Sequence, residues 1–297
     1  MDFAIRLSGV SRFFGAQRAV EGIDLTVAPG ELVGIVGPDG AGKTTLARLA
    51  AGVMAPTAGK VEPESRGRVG YLSGRFSLYP ELNVLENLRF FAKIYGMSAR
   101  DADAEADRLL EWVGLLPFKT RFAGALSGGM RQKLALACAV IHQPPTLILD
   151  EPTTAVDPVA RVDFWKLLRE QARQGRAVLV TTPYLDEAEN CHRVVLLHEG
   201  HMLATGSAEE LKARLPYRMA VLAPAGDALP KRADMTAAAQ GLSGLRWAIP
   251  LGAGVRVALD PATAQECPAG YTLTPSPASL EDVYLWLTGA AEEVQAR

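Results

Sequence analysis

Two stretches of this sequence combine residue types suited to phosphate chemistry. Gly37-Pro38-Asp39-Gly40-Ala41-Gly42-Lys43-Thr44, followed by Thr45, fits the spacing G-x-x-x-x-G-K-[ST]. Glycines at those intervals let successive backbone N–H groups turn inward on a phosphate chain, and a helix N-terminus behind them adds its positive end. Lys43 would reach the β- and γ-phosphates, and the Thr44 hydroxyl suits Mg²⁺. The second stretch, Leu147-Ile148-Leu149-Asp150-Glu151, is an apolar run ending in two carboxylates. Asp150 would hold a hydrated Mg²⁺. Glu151, beside the metal and the terminal phosphate, would take a proton from an attacking water. Two acids after an apolar strand are by themselves more often an ordinary strand end than a site. Paired with the glycine loop they describe a nucleoside triphosphatase.

A third stretch, Leu126-Ser127-Gly128-Gly129-Met130, sets a serine and two glycines ahead of a helix through Leu134 to Ile141. That is a second anion-binding helix start. Two such starts in one chain fit a nucleotide clamped between two molecules, although a capped surface helix explains the serine and glycines taken alone.

The elements that must position these residues are legible from pattern. Asp24 to Val27 and Leu32 to Val36 read as strands around the turn Pro29-Gly30, and a helix runs from Lys43 to about Ala51. Asn83 with Glu86 has capping-box spacing ahead of a helix through Leu88, Phe91 and Ile94, and Ser98 with Asp101 opens the next. Thr146 to Leu149, Val178 to Val180 and Val194 to Leu197 read as buried strands, and Asp157-Pro158 as an N-cap with Pro at the first helical position. This alternation predicts an α/β fold with a mainly parallel sheet. Near Leu215 to Pro216 the alternation gives way to an Ala/Pro/Gly-rich stretch, which sets the expected domains at 1–214 and 215–297. Tyr217 to Leu222, Leu245 to Ile249 and Val255 to Leu259 predict strands of a small accessory α/β domain. Leu280, Val283, Tyr284 and Leu287 stand at helical spacing.

Composition bounds the setting. The 297 residues are 48% hydrophobic, enough for two cores at roughly 150 residues per domain. With 31 basic and 33 acidic side chains the net charge is −2, so nothing draws a polyanion, and no nucleic-acid partner is expected. The longest apolar runs, such as Leu134 to Ile141, fall short of the roughly 18 residues that cross a bilayer. The N-terminus lacks the pattern of a signal peptide, and Cys138, Cys191 and Cys267 are odd in number and widely spaced, which points to the cytoplasm.

Taken in order, Phe14 in VSRFFG, GPDGAGKTT, LSGGM, LILDEP and the Ala155-Val156-Asp157 loop make residues 1–214 resemble the nucleotide-binding subunit of an ATP-binding cassette (ABC) transporter. The resemblance implies a P-loop NTPase cassette: a mainly parallel sheet, an antiparallel β edge, and a helical subdomain at about 75–143. It implies ATP and Mg²⁺ as cofactors, ATPase activity, and a head-to-tail dimer with a second cassette, identical or different. Phe14 would stack on adenine and residues 37–45 would hold the phosphates. Ser127, Gly128 and Gly129 would meet the partner's nucleotide, and Asp157 would act between subunits. A separate integral membrane permease subunit is implied, with this chain peripheral on the cytoplasmic face of the membrane. FSLYPELNVLENLRFFAKIYG and SLEDVYLWLTG resemble the drug- and antibiotic-export branch, and Leu78 to Leu88 is the expected permease contact.

Three features depart from that family. It carries Gln after the strand that here reads Val69-Gly70-Tyr71-Leu72, where this chain has Gly74. It carries His after Val178-Leu179-Val180-Thr181-Thr182, where this chain has Pro183, which has neither a side-chain donor nor a backbone N–H. Preorganised groups of this kind contribute roughly 3 kcal/mol each to a transition state, so the expectation is that this chain's own site binds MgATP but turns it over slowly. Third, the stretch Lys60 to Arg68 is short, which predicts a trimmed sheet edge. The alternatives are a regulatory, non-hydrolysing ATP sensor and a soluble ABC-type ATPase outside transport.

Overall fold

The structure, a computed structural model, describes residues 4–63, 69–74, 78–154, 156–226, 232–263 and 266–289. The chain divides into two compact units between Ser207 and Ala208.

The first unit opens on a hairpin of β1 (Ile5–Phe14) and β2 (Gln17–Val27), followed by β3 (Leu32–Val36) and α1 (Lys43–Ala50). Then come β4 (Ala58–Pro63), β5 (Val69–Leu72), α2 (Val84–Ile94), α3 (Ala99–Trp112), α4 (Gly128–Val140), β6 (Thr146–Asp150), α5 (Pro158–Arg173) and β7 (Ala177–Thr182). A short α6 (Leu185–Ala188), β8 (Arg193–His198) and β9 (His201–Gly206) complete it. Six strands form one sheet in the order β5-β6-β7-β3-β8-β9, parallel except for the last pair. Every residue of β3, β6 and β7 is buried, as expected of parallel strands covered on both faces. The carboxyl ends of these three adjacent strands therefore bring residues 37, 150 and 182 to one edge.

A separate antiparallel sheet has the order β2-β1-β4. Along β2, Ile23, Leu25 and Val27 are buried while Asp24 and Thr26 are exposed, the alternation of a half-buried strand. The stretch expected to be trimmed is a strand in its first part, since β4 pairs with β1; residues 64–68 lie outside the described region. The expected helical subdomain is present as α2, α3 and α4 packed on one another, with residues 75–77 outside the described region. Its capping box is formed: Asn83 Oδ1 accepts from the Glu86 N–H at 2.9 Å, and Glu86 Oε2 accepts from the Asn83 N–H at 2.8 Å.

The second unit comprises α7 (Ala208–Ala213), β10 (Arg218–Pro224), α8 (Arg232–Gln240), β11 (Leu245–Leu251), β12 (Gly254–Leu259), β13 (Tyr271–Pro275) and α9 (Leu280–Thr288). Its sheet has the order β11-β12-β10-β13 with antiparallel neighbours, so β10 and β11 run the same way on either side of β12, a split β-α-β arrangement joined through α8. One cluster joins Leu222, Val255, Val257 and Leu259 to Met235 and Ala239 of α8; the other joins Met219, Trp247 and Ala258 to Leu285 and Trp286 of α9. The Arg256 guanidinium fixes α9: its Nε donates to Asp282 Oδ1 at 2.9 Å and its Nη1 to Ser276 Oγ at 2.8 Å, with Asp282 buried. The expected boundary at Leu215 to Pro216 lies inside this unit, because α7 packs on α9 and Pro216 follows a helix that already belongs here. Among the described residues no helix is long and apolar enough to cross a membrane.

Candidate nucleotide site

The glycine loop leaves β3 and enters α1 by backbone routes that side chains would block. Gly40 and Gly42 have φ of 82° and 103°, and a Cβ on Gly37 would stand 2.1 Å from the Leu197 carbonyl oxygen. Gly42 is the N-cap of α1 and offers no capping side chain, so the first-turn N–H groups of Lys43, Thr44 and Thr45 are free of a side-chain cap and face the loop. Ala41 is buried beneath the loop and Asp39 points outward.

Lys43 is almost fully buried, yet its ammonium stays paired. Nζ donates to the Pro38 carbonyl at 3.0 Å and lies 3.2 Å from Glu151 Oε1. Asp150, at the end of β6, accepts on Oδ1 from the Thr44 hydroxyl at 3.0 Å and from the Thr181 hydroxyl at 2.8 Å. Glu151 sits in the left-handed region at φ 50°, and its N–H donates to the Thr181 carbonyl at 3.1 Å and the Thr181 hydroxyl at 2.9 Å. Thr181 thus holds both acids, a role that its place in an apolar run does not mark in the sequence. Asp150 and Thr181 are register partners in the β6–β7 ladder, which is why the contact forms. Burial and the nearby Asp150 charge push the Tyr71 phenol above its ordinary range.

The oxygen-only set of Thr44 and Asp150 fits Mg²⁺, which favours one or two carboxylates with phosphate and water completing the shell. Two cavities meet there. One, of about 380 Å³, runs from Phe14 and Gln17 to Gly40, Lys43 and Glu151. The other, of about 470 Å³, is lined by Thr44, Arg48, Ser73, Gly74, Asp150 and Glu151 among others. Phe14 is 46% exposed at the tip of the hairpin, as a base platform requires and a core residue does not.

Ser127, Gly128, Gly129 and Asp157 form a second group, and none of them lines either cavity. Ser127 caps α4, accepting from the Met130 N–H at 3.3 Å, and Asp157 caps α5, accepting from the Ala160 N–H at 2.9 Å. A Cβ on Gly129 would lie 2.7 Å from the Ala160 Cβ, so the two helix starts pack closely and present their N-termini together. Ala155 lies outside the described residues.

The two departures fall on the rim of the site. Gly74 opens into the second cavity, and a Cβ there would stand 3.0 Å from the Asp150 carbonyl oxygen. Pro183 follows β7 and is clamped on both flanks. Buried Glu187 accepts on Oε2 from the Thr182 hydroxyl at 2.5 Å and the Thr153 hydroxyl at 2.8 Å. Arg161 faces Glu187 Oε1 at 3.1 Å, a charge contact without an aligned hydrogen bond, and its guanidinium lies over the Tyr184 ring at 4.4 Å. Sequence reasoning missed this cluster too.

The family profile described as "ABC transporter" matches residues 20–154. A protein of Escherichia coli named as a probable multidrug ABC transporter ATP-binding protein is 41% identical over a 222-residue alignment that covers 71% of this chain and 38% of that one; the match spans well under half of that relative's length. A daunorubicin resistance ATP-binding protein of Streptomyces coeruleorubidus is 39% identical over 71% of each chain. The Nod factor export ATP-binding protein I of Paraburkholderia xenovorans is 40% identical over 71% of this chain and 73% of that one. Among solved structures, an ATP-binding subunit of an ABC transporter superposes with a TM-score of 0.64 at 30% identity, covering 71% of this chain and 92% of that one. A dimeric post-hydrolysis state of an ATP-binding cassette bound to ADP and Pi gives a TM-score of 0.62 at 26% identity, over 68% and 98%.

Proposed function

The chain belongs to the ABC transporter ATP-binding family, and from that membership we propose that it is the energy-coupling ATPase subunit of an exporter, binding MgATP in its first unit. The convergence of Thr44, Lys43, Asp150 and Glu151 at the carboxyl ends of β3 and β6 carries this reading. Residues 37–45 would hold the phosphates through backbone N–H groups and the Lys43 charge, with Phe14 under the base. Thr44 and Asp150 would hold Mg²⁺, which when bound neutralises charge on the terminal phosphates. Glu151 is the candidate base. The Lys43 ammonium now resting on it would exchange that contact for phosphate, freeing Oε1 to accept a proton from water.

Ser127, Gly128, Gly129 and Asp157 stand apart from these cavities, which supports their acting on the nucleotide of a second cassette, identical or different. Leu78 to Leu88 is the proposed permease contact. Buried Asn87 holds its leading segment, bonding the Tyr79 N–H and the carbonyls of Tyr79, Leu82 and Asn83 at 2.9–3.2 Å. A groove of about 290 Å³ beside it is lined by Leu78, Pro80, Ala123, Gly124 and Arg131. On this reading the chain would sit on the cytoplasmic face of a membrane, with transport through the permease. Drug and Nod factor export are in the relatives' names, and the proposal takes from them export alone. The second unit is proposed as an accessory domain.

Gly74 and Pro183 favour a refinement: this chain's own site holds MgATP but turns it over slowly, while its Ser127–Gly129 segment completes a site on another cassette. A regulatory ATP sensor is the extreme of the same observation. Single-turnover hydrolysis by the full chain, with and without its permease, tests both. Fast turnover lost in Glu151→Gln contradicts the slow site, and turnover with the permease abolished by Lys43→Ala removes the sensor.

A further inference from the structure

The Phe14 ring packs against a cation. Arg12 lies two residues earlier on β1, and its Cζ stands 4.8 Å from the Phe14 ring centroid. The guanidinium is tethered, because Nη1 donates to the Ala55 carbonyl at 3.1 Å, while Nε is buried without a hydrogen-bond partner. The loop that supplies Ala55 is itself held to β1: the Thr57 N–H donates to the Ser11 carbonyl at 2.8 Å, and the Phe13 N–H donates to the Thr57 hydroxyl at 3.2 Å. Phe14 lines the nucleotide cavity, and Arg12 is not among its lining residues. Gln17, the register partner of Phe14, lines the same cavity.

An aromatic ring carries negative charge on both faces, and a cation over one face draws that charge toward itself. The opposite face becomes a better partner for an electron-rich base, and the gain grows with the stacked area. A glycine loop reads phosphates and is indifferent to the base, so discrimination must come from the nucleoside end. We propose that Arg12 is a specificity-determining residue of this site: packed on Phe14, it makes the ring a platform that favours purine over pyrimidine nucleotides and holds ATP and GTP alike. The proposal rests on the nucleotide-site reading above.

Calorimetric titration of the full chain with the Mg²⁺ complexes of ATP, GTP and CTP tests it. The wild type is expected to bind ATP and GTP within about threefold of each other and CTP roughly tenfold more weakly. Arg12→Gln keeps a polar side chain beside the ring but removes the charge. It should bring the CTP-to-ATP ratio of Kd values below about threefold, and Phe14→Leu should remove the preference. The ratio is internal to each variant and is insensitive to a loss of folded fraction. An unchanged ratio in Arg12→Gln, or no purine preference in the wild type, overturns the proposal while leaving the phosphate site intact. No binding of any nucleotide by the wild type overturns the site itself.

Discussion

The floor and the rim of the nucleotide site are built to different standards. On the floor, Lys43, Thr44, Asp150 and Thr181 are buried or half-buried and tied by contacts of 2.8–3.2 Å across three adjacent strands. On the rim, two positions where the resemblance implies Gln and His carry Gly74 and Pro183, whose side chains offer no hydrogen bond. Yet the rim is not loosely made, since Pro183 sits between Thr182 held by Glu187 and Tyr184 covered by Arg161. On the proposed reading binding and turnover are separable here: the architecture that would position both is retained, and the polar groups proposed to serve turnover alone are missing.

The largest effect should come from the floor. Lys43→Ala removes the buried cation that this reading sets against the terminal phosphates, and truncating one partner of a buried charge pair across a binding interface costs about 2–5 kcal/mol. Nucleotide affinity measured by calorimetry should fall by that amount. If affinity survives, the floor is not the phosphate site and the contrast with the rim loses its meaning.

Restoring the rim should be nearly as large, in the opposite sense. Pro183→His with Gly74→Gln supplies two polar groups beside the floor, and one well-placed donor to developing charge is worth about 100- to 1,000-fold in kcat. The expected result is faster turnover with Kd for ATP changed by less than about threefold, since the added groups act on the transition state. The Cβ of Gln at position 74 meets the Asp150 carbonyl at 3.0 Å, so the double variant must shift this turn by a few tenths of an ångström. Pro183→His alone, free of that cost, is the cleaner measurement. If neither raises kcat, the limit on turnover lies elsewhere than the rim.

The floor's glycine loop was legible in the sequence because its constraints are local: φ at Gly40 and Gly42 and the close approach at Gly37 are properties of consecutive residues. The caps at Asn83, Ser98, Ser127 and Asp157 are local too, and each forms as its spacing predicts. Thr181 and Glu187 were illegible because their roles exist only through register. Thr181 meets Asp150 across a ladder of parallel strands, and Glu187 ties Thr182 to Thr153, 34 residues before it. β1 escaped for a different reason, since register shifts between Leu7, Val10, Arg12 and Phe13 break the alternation that marks a strand. In the second unit the strands at Arg218, Leu245 and Gly254 were foreseen near their positions. α8 was not, because its run of alanines carries little amphipathic signal.

Thr181→Val tests the register-built part of the floor. The substitution keeps volume and leaves Asp150 Oδ1 and the Glu151 N–H each short of one partner, at about 1–3 kcal/mol for such groups. The Mg²⁺ concentration needed for half-maximal ATP binding should rise, while metal-free ATP binding, which rests on the loop and Lys43, should hold. A parallel loss of both would mean that Thr181 serves the strand and not the acids.

Glu187→Gln should give the smallest change and bears most directly on the rim. The amide keeps an oxygen for the Thr153 and Thr182 hydroxyls, so those hydrogen bonds can persist, and what is lost is the charge facing Arg161. Arg161 is 24% exposed and also lies on Tyr184, so part of its charge is already met by water and ring. Breaking a fully buried pair costs about 3–5 kcal/mol; with one partner partly solvated, a fall of about 1 kcal/mol in stability toward urea is expected. In the wild-type background ATP affinity and turnover should not move, because the proposed rim gives the Thr182-Pro183-Tyr184 turn no part in turnover. In Pro183→His, the same substitution should lower kcat, since the clamp then positions a side chain that matters. A Glu187→Gln effect of equal size in both backgrounds would show that the clamp acts on the floor, and the separation of floor from rim would fail.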